Sequence, residues 1–180
     1  AQGGNVSTAW QTPSTNTATN QLFRNDGKLH FVNVTEATGT GDNGYGMGMA
    51  VGDIDSDGDP DVYITNAGRN TMLRNDNGAF TDVTEESGTG HPGWGASALF
   101  FDADGDGDLD LYATNYLDWN PDTELTCYSP LGGEDYCSPR NYLSPALDVF
   151  YRNRGDGTFE DATVSAGFNT ASGTSLGVVQ

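Results

Sequence analysis

Two nine-residue stretches carry aspartate at alternate positions and have the composition of a cation-binding loop. The first Asp loop, Asp53–Asp61, reads DIDSDGDPD, and the second Asp loop, Asp102–Asp110, reads DADGDGDLD. Ca²⁺ binds about six to eight oxygen ligands in flexible geometry, and a glycine permits the sharp turn that such a loop requires. The shared pattern D-x-D-x-D-G-x-x-D therefore predicts two Ca²⁺ sites.

Five aspartates in each loop are the predicted ligands. The first, third, fifth and ninth residues would supply side-chain oxygens, the ninth in a bidentate manner, and the seventh would supply its backbone carbonyl. A solvated acidic turn is the alternative for one such loop, but two copies in register argue against it, because five neighbouring carboxylates repel one another unless a cation lies among them. The predicted ligands are Asp53, Asp55, Asp57, Asp59 and Asp61, and Asp102, Asp104, Asp106, Asp108 and Asp110.

The charge of the chain argues against several classes of partner. The formal net charge is −19, from 26 acidic and 7 basic residues. Nucleic acids and anionic membranes are disfavoured because no basic patch is present to neutralise phosphates. No apolar run approaches the roughly 20 residues of a membrane span.

The even cysteine count, the calcium chemistry of the Asp loops and the acidic composition together favour an extracellular location, secreted or at the cell surface. Cys127 and Cys137 are close in sequence, and we expect them to form a disulfide that closes a small loop. Asn5 and Asn33 each begin an Asn-x-Ser/Thr triplet, the acceptor sequence for N-linked glycans. His30 and His91 are isolated, and we expect both at the surface.

From Gln21 onward the chain repeats. The segments LFRNDGKLHFVNVTEATGTG, MLRNDNGAFTDVTEESGTG and FYRNRGDGTFEDATVSAGF resemble one another, and the first two are spaced like the two Asp loops, 49 residues apart. The third copy is displaced by an insert, residues 116–147, that carries both cysteines. Asp-Gly and Asn-Gly pairs in these segments are strong hairpin signals.

Each repeat is predicted to form four short antiparallel strands, with the Asp loop joining the first strand to the second. Short apolar runs precede and follow both loops, and no stretch shows a sustained helical period. This arrangement excludes an EF-hand, whose loop continues into a helix. Four-stranded units with a period near 50 residues are typical of propeller blades.

The repeats divide the chain into unequal units. We predict a Ser/Thr-rich extended arm at residues 1–20 and a repeat region at 21–180. Within that region the units are about 21–41 (partial), 46–86, 95–165 with the insert, and 174–180 (partial), the last being the first strand of a further unit. Propellers need about four to eight blades. The sequence therefore predicts an all-β fold with an incomplete propeller.

The segments GDIDSDGDPDVYIT and FFDADGDGDLDLYAT resemble the FG-GAP repeats of integrin α-subunit propellers and the related bacterial VCBS repeats. MLRNDNGAFTDVT and the Cys-containing insert are more similar to the branch that contains cartilage acidic protein and the bacterial ASPIC/UnbV-type proteins. The resemblance covers residues 21–180. It implies a Ca²⁺-binding, β-propeller-type fold in secreted or surface proteins, and it implies no enzyme activity.

We therefore expect a Ca²⁺-stabilised extracellular module that has a structural or adhesive role and contacts other proteins, glycans or further copies of itself. The chain has no Ser-His-Asp order, phosphate-binding Gly loop or Cys/His zinc spacing, so we do not expect an enzyme. A first alternative is a subunit of an extracellular filament that assembles through end-to-end strand complementation. A second is the non-catalytic platform of a polysaccharide-active enzyme.

Two further features have structural interpretations. Arg154–Gly155–Asp156 spells an integrin-recognition triplet, but its place in a predicted hairpin favours a turn. Tyr45 and Trp94 occupy equivalent positions in the two complete units, and we expect them to pack between neighbouring units.

Overall fold

The computed structural model describes residues 19–170 and 173–179, and their regular structure is almost entirely β. Its α-helices are four-residue single turns, which agrees with the absence of a helical period in the sequence. In chain order the elements are β1 Phe23–Asn25, β2 Phe31–Asn33, α1 Thr35–Thr38, β3 Gly46–Gly52, β4 Asp61–Asn66, β5 Thr71–Asp76, β6 Ala79–Asp82, α2 Thr84–Ser87, β7 Gly95–Phe101, β8 Asp110–Asn115, β9 Cys127–Tyr128, β10 Glu134–Asp135, α3 Pro139–Tyr142, β11 Val149–Asn153 and β12 Phe159–Asp161.

Two four-stranded antiparallel sheets form the centre of the fold. The first blade has the strand order β3-β4-β5-β6, and the second blade has the order β7-β8-β11-β12. Each Asp loop joins the first strand of its blade to the second, as the sequence predicted. Strands β1 and β2 form a separate two-stranded hairpin, and no sheet of the described residues closes into a ring. The all-β, incomplete propeller architecture is thus confirmed.

The hydrophobic core lies where the two blades face each other. It includes Ala50, Tyr63 and Met72 from the first blade and residues such as Phe100 and Leu111 from the second. Glycine in β3 permits this close approach: a Cβ on Gly52 would lie only 3.0 Å from ring carbons of Phe100. The interface between the blades is therefore a packed core, and it fixes the position of one Asp loop relative to the other.

A threonine after the last strand of each unit attaches the following turn to the sheet. The Thr84 hydroxyl accepts a hydrogen bond from the Met72 N–H (2.8 Å), and the Thr163 hydroxyl accepts one from the Phe150 N–H (3.0 Å). Thr35 makes the same bond to Leu22 in the β1–β2 hairpin (2.8 Å). These bonds explain the threonine that recurs in the three repeated segments.

The insert lies between β8 and β11 and carries the predicted disulfide. Cys127 and Cys137 are bonded, with their Cα atoms 5.2 Å apart. Strands β9 and β10 pair beside this bond. The first blade has only residues 67–70 at the equivalent place, so the insert is not required to form a blade.

Two expectations are corrected by the structure. Ser175–Val179 forms no strand: within the described residues its backbone bonds to the second blade through the Ser175 N–H, which donates to the Asn115 carbonyl, and the nearby isolated bridge of Gly173 is to Ala146 of the insert. His91 is half-buried and not a surface residue. Trp94 lies between the two units as expected, because it forms an isolated antiparallel bridge with Ala67 of the first unit. Its ring also packs edge-on against Tyr116 and Trp119 of the insert, at centroid distances of 5.5 and 5.3 Å. The predicted arm lies almost wholly outside the described residues.

Among the residues described, no helix is long and apolar enough to cross a membrane.

Candidate metal centres

Each Asp loop contains two residues in the left-handed conformation, which turn its backbone. In the first loop these are Ser56 (φ 60°) and Gly58 (φ 95°), and in the second they are Gly105 (φ 80°) and Gly107 (φ 97°). Glycine adopts this conformation without a steric cost, which agrees with the role predicted for the sixth position. The turns direct backbone N–H groups toward the first aspartate of each loop, whose oxygens accept from Gly58 (2.9 Å) or Gly107 (3.2 Å).

In the first loop, three of the predicted ligands come together. Asp53, Asp55 and Asp61 each offer a carboxylate oxygen, and these three oxygens lie within 4.8 Å of one another. Asp55 Oδ1 is shielded from solvent and has no hydrogen-bond partner among the described residues. A shielded, unpaired carboxylate oxygen beside two further carboxylates fits a site for a hard cation.

The electrostatics of this loop oppose ionisation when no cation is bound. Burial raises the pKa of Asp55, and the neighbouring charges of Asp57 and Asp53 raise it further, although a backbone hydrogen bond from Asp57 and the charge of Arg74 partly oppose this effect. Burial also raises the pKa of Asp61, although hydrogen bonds from two backbone N–H groups act in the opposite direction. A divalent cation would reverse this balance, because it favours the ionised form of every carboxylate around it.

Asp61 also has a structural role. It is fully buried, and its Oδ2 accepts from the Ile54 N–H (2.8 Å) while its Oδ1 accepts from the Asn75 N–H (2.7 Å). A carboxylate has about four lone-pair sites, so these bonds leave capacity for a metal ion. Asp61 therefore joins both ends of the loop to strand β5.

Asp57 and Asp59 lie outside this three-residue group. Asp57 is exposed, and its Oδ1 accepts from the Asp59 N–H (2.8 Å). Asp59 was predicted to act through its backbone carbonyl, and its side-chain Oδ2 accepts from the Asn77 N–H of the β5–β6 hairpin (2.6 Å). The Asp59 side chain is thus engaged away from the centre of the loop.

The second loop repeats the backbone arrangement of the first, but the aspartates whose oxygens come together occupy different positions of the loop. Asp102, Asp104 and Asp106 offer oxygens within 4.8 Å of one another, and all three are exposed. Asp110 is buried and accepts from the Ala103 N–H and the Asn153 N–H, both at 2.9 Å. The side chain of Asp108 lies near the β11–β12 hairpin, because a Cβ on Gly155 would be 2.7 Å from its Oδ2.

Two asparagines that support the loops were not predicted from the sequence. Asn75 donates from Nδ2 to the Pro60 carbonyl (3.0 Å), and Asn153 donates from Nδ2 to the equivalent Leu109 carbonyl (3.1 Å). Their Oδ1 atoms accept from N–H groups in the following hairpin turn. The recurrence of Arg-Asn in all three repeated segments was the available signal.

The remaining candidate sites are local features. Asn33 Oδ1 accepts from the Thr35 N–H (3.0 Å) and the residue is exposed, whereas Asn5 lies outside the described residues. The Arg154–Asp156 triplet lies in the β11–β12 turn, where the Arg154 N–H donates to the Thr158 carbonyl (2.9 Å). The turn interpretation of this triplet is confirmed.

The family described as FG-GAP-like repeat matches this chain twice, at residues 9–64 and 53–113. The first Asp loop lies in both matches and the second Asp loop lies in the second. No curated protein matches the chain significantly. The two matches together span more than half of the sequence, and each ends in a strand that follows an Asp loop. This chain is therefore a member of the FG-GAP-like repeat family.

Proposed function

We propose that the chain is a Ca²⁺-stabilised repeat module of an extracellular protein, with a structural or adhesive role and two Ca²⁺ sites. Asp53, Asp55 and Asp61 would hold one ion, and Asp102, Asp104 and Asp106 would hold the other. The remaining predicted ligands would complete the two sites. The proposal includes no catalytic activity.

The unpaired oxygen of Asp55 is the observation that carries the metal assignment. It lies within 4.8 Å of carboxylate oxygens of Asp53 and Asp61. At that separation two unit charges repel by about 0.9 kcal/mol in bulk water and by about 3.5 kcal/mol at an effective dielectric constant near 20. All the ligand atoms that the two groups of aspartates offer are oxygens, which Ca²⁺ prefers, whereas zinc sites are built mainly from His and Cys.

The extracellular assignment is supported by the disulfide and by the charge. Disulfides persist in oxidising compartments, and Cys127–Cys137 closes a surface insert. We also place the chain in the branch of cartilage acidic protein and the ASPIC/UnbV-type proteins. The disulfide-closed insert and the Arg-Asn hairpins support that placement. An interaction with other proteins or with glycans follows from the use of such repeats as binding surfaces.

A calcium titration of the full chain tests the metal assignment. Isothermal titration calorimetry after chelator treatment should give two sites in the wild type, one site in Asp55→Asn and one in Asp104→Asn, and none in the double variant. At a free Ca²⁺ concentration 100-fold above Kd, each site stabilises the fold by about 2.7 kcal/mol, so two sites should raise Tm by roughly 10–20 °C. The same Tm with and without chelator would contradict the assignment of the metal sites.

End-to-end self-association is a second candidate, because one face of the first blade carries exposed apolar side chains. Met47, Met49 and Val51 of β3 are 45, 60 and 54% exposed, whereas Ala98 and Phe100, the equivalents of Met49 and Val51 in β7, are buried against the first blade. In the second blade, the equivalent positions are therefore part of the interface with the first blade, whereas in the first blade they are exposed. Association through a heterologous contact that does not close generates a filament.

Sedimentation velocity in millimolar Ca²⁺ tests the association. The wild type should form concentration-dependent oligomers, and Met49→Glu should be monomeric because it places a charge on the apolar face. An exposed substitution on the opposite side of the fold, Glu160→Gln, is the control and should associate like the wild type. A well-folded wild-type monomer at high concentration would refute the second candidate.

A further inference from the structure

One buried side chain contacts both Asp loops. Asn153, at the end of β11, is 4% exposed. Its Nδ2 donates to the Leu109 carbonyl in the second loop (3.1 Å) and also to the Ile54 carbonyl in the first loop (2.8 Å). Its backbone N–H donates to Asp110 Oδ1 (2.9 Å). A single residue thus connects two loops that belong to different blades.

The contact with the first loop lies between two of its predicted metal ligands. Ile54 lies between Asp53 and Asp55, two of the three residues whose oxygens converge, and its own N–H donates to Asp61. The Ile54 side chain is 2% exposed and belongs to the core between the blades. Its carbonyl is part of the peptide group that precedes Asp55, so the bond from Asn153 restrains the orientation of that group.

The equivalent residue of the first blade makes no such connection. Asn75 bonds to the Pro60 carbonyl, to Asp61 and to the Gly78 N–H, all within its own blade, in the part of the chain that the structure describes. The bond to a neighbouring loop is therefore specific to Asn153. The β11–β12 hairpin adds a second contact, because a Cβ on Gly157 would lie 3.4 Å from Asp55 Cβ.

We propose that Asn153 is a positioning residue that couples the two metal loops, so that a cation in one loop raises the affinity of the other. A cation in the second loop would order Leu109 and Asp110, which hold Asn153. Asn153 would then hold the Ile54 carbonyl, and the first loop would lose less conformational entropy when it binds its own cation. This coupling rests on the proposed Ca²⁺ sites, and linkage requires that it act equally in both directions.

Nuclear magnetic resonance resolves the two loops separately. The amide signals of Gly58 and Gly107 report on the first and second loops, since each N–H donates to the leading aspartate of its loop. Calcium titrations of the full chain give one Kd per loop. In the wild type, inactivation of the second loop by Asp104→Asn should weaken the first loop by about fivefold or more, within the usual range of coupling.

The same experiment in two matched variants identifies the residue that carries the coupling. In Asn153→Ala, the effect of Asp104→Asn on the first loop should fall below about twofold. In Asn75→Ala, the first loop should bind more weakly while the coupling stays, because only bonds inside the first blade are lost. If the role of Asn153 is purely structural, Asn153→Ala should change both Kd values. The factor by which Asp104→Asn weakens the first loop should then be the same as in the wild type.

The outcomes separate the inference from the function on which it rests. Two Ca²⁺ sites that bind independently in the wild type would overturn the coupling and leave the proposed function intact. No response of either glycine signal would overturn both. If Asn153→Ala does not fold, Asn153→Ser decides, because it keeps a polar side chain and the backbone N–H bond to Asp110 but loses both Nδ2 bonds: a wild-type effect of Asp104→Asn on the first loop in this variant would overturn the proposal.

Discussion

Replacement of Asp61 should destabilise the protein far more than replacement of a neighbouring aspartate. Asp61→Ala removes one carboxylate from the first loop and leaves two buried donors, the N–H groups of Ile54 and Asn75, without their acceptor. Each unsatisfied buried group costs about 1–3 kcal/mol, so the expected loss in the free energy of unfolding is about 2–6 kcal/mol. Asp57→Ala is the matched control, because it removes the same charge from an exposed residue.

Urea unfolding in millimolar Ca²⁺, followed by circular dichroism, measures this difference. Both variants lose a predicted ligand of the same site, so the loss of metal binding contributes to both. With an m-value near 2 kcal/mol/M, a difference of about 4 kcal/mol would separate the two midpoints by roughly 2 M urea. Asp61→Asn keeps one acceptor and should fall between them. Equal midpoints for Asp61→Ala and Asp57→Ala would refute the structural role of Asp61.

Two further predictions concern the insert and a histidine. Reduction of Cys127–Cys137 should remove amide hydrogen-exchange protection in β9 and β10 and leave β3–β6 protected, because the insert is not part of either blade; unfolding of the whole chain on mild reduction would contradict this. Burial lowers the pKa of His91, and the charge of Asp161 only partly opposes this effect. Its contribution to stability should therefore be present above the unfolded-state pKa, near 6.5, and be lost as pH falls through the lower folded-state pKa. Urea midpoints across this range should decline less in His91→Gln, and a His91 titration midpoint above 6.5 by nuclear magnetic resonance would be contrary evidence.

The parts of the fold that could be predicted from the sequence depend on local patterns. The Asp loops, the hairpin at Asp76–Gly78 and the four-strand unit are each encoded within a few consecutive residues, where turn chemistry and alternation act directly. The disulfide could be predicted because only two cysteines are present and they are close in sequence.

The rest depends on contacts that sequence spacing does not reveal. Asp61 reaches Asn75 only because β4 and β5 pair in one particular register. The bond from Asn153 to Ile54 joins residues 99 positions apart and exists only once the blades have packed. The burial of His91 has the same origin, since it follows from tertiary packing and not from local sequence. The missing strand at 175–179 shows the converse: strand propensity gives no strand where a continuous ladder is absent.

The insert also has a consequence for the order in which the blades fold. In the first blade only residues 67–70 separate the second strand from the third, whereas residues 116–148 separate them in the second blade. A connection roughly eight times longer raises the entropic cost of closing the loop by about 2 kcal/mol. Non-local pairing of this kind slows folding. We therefore expect the first blade to form early, because its four strands are close together in the sequence. Strands β7 and β8 would then pack against the first blade before β11 pairs with β8.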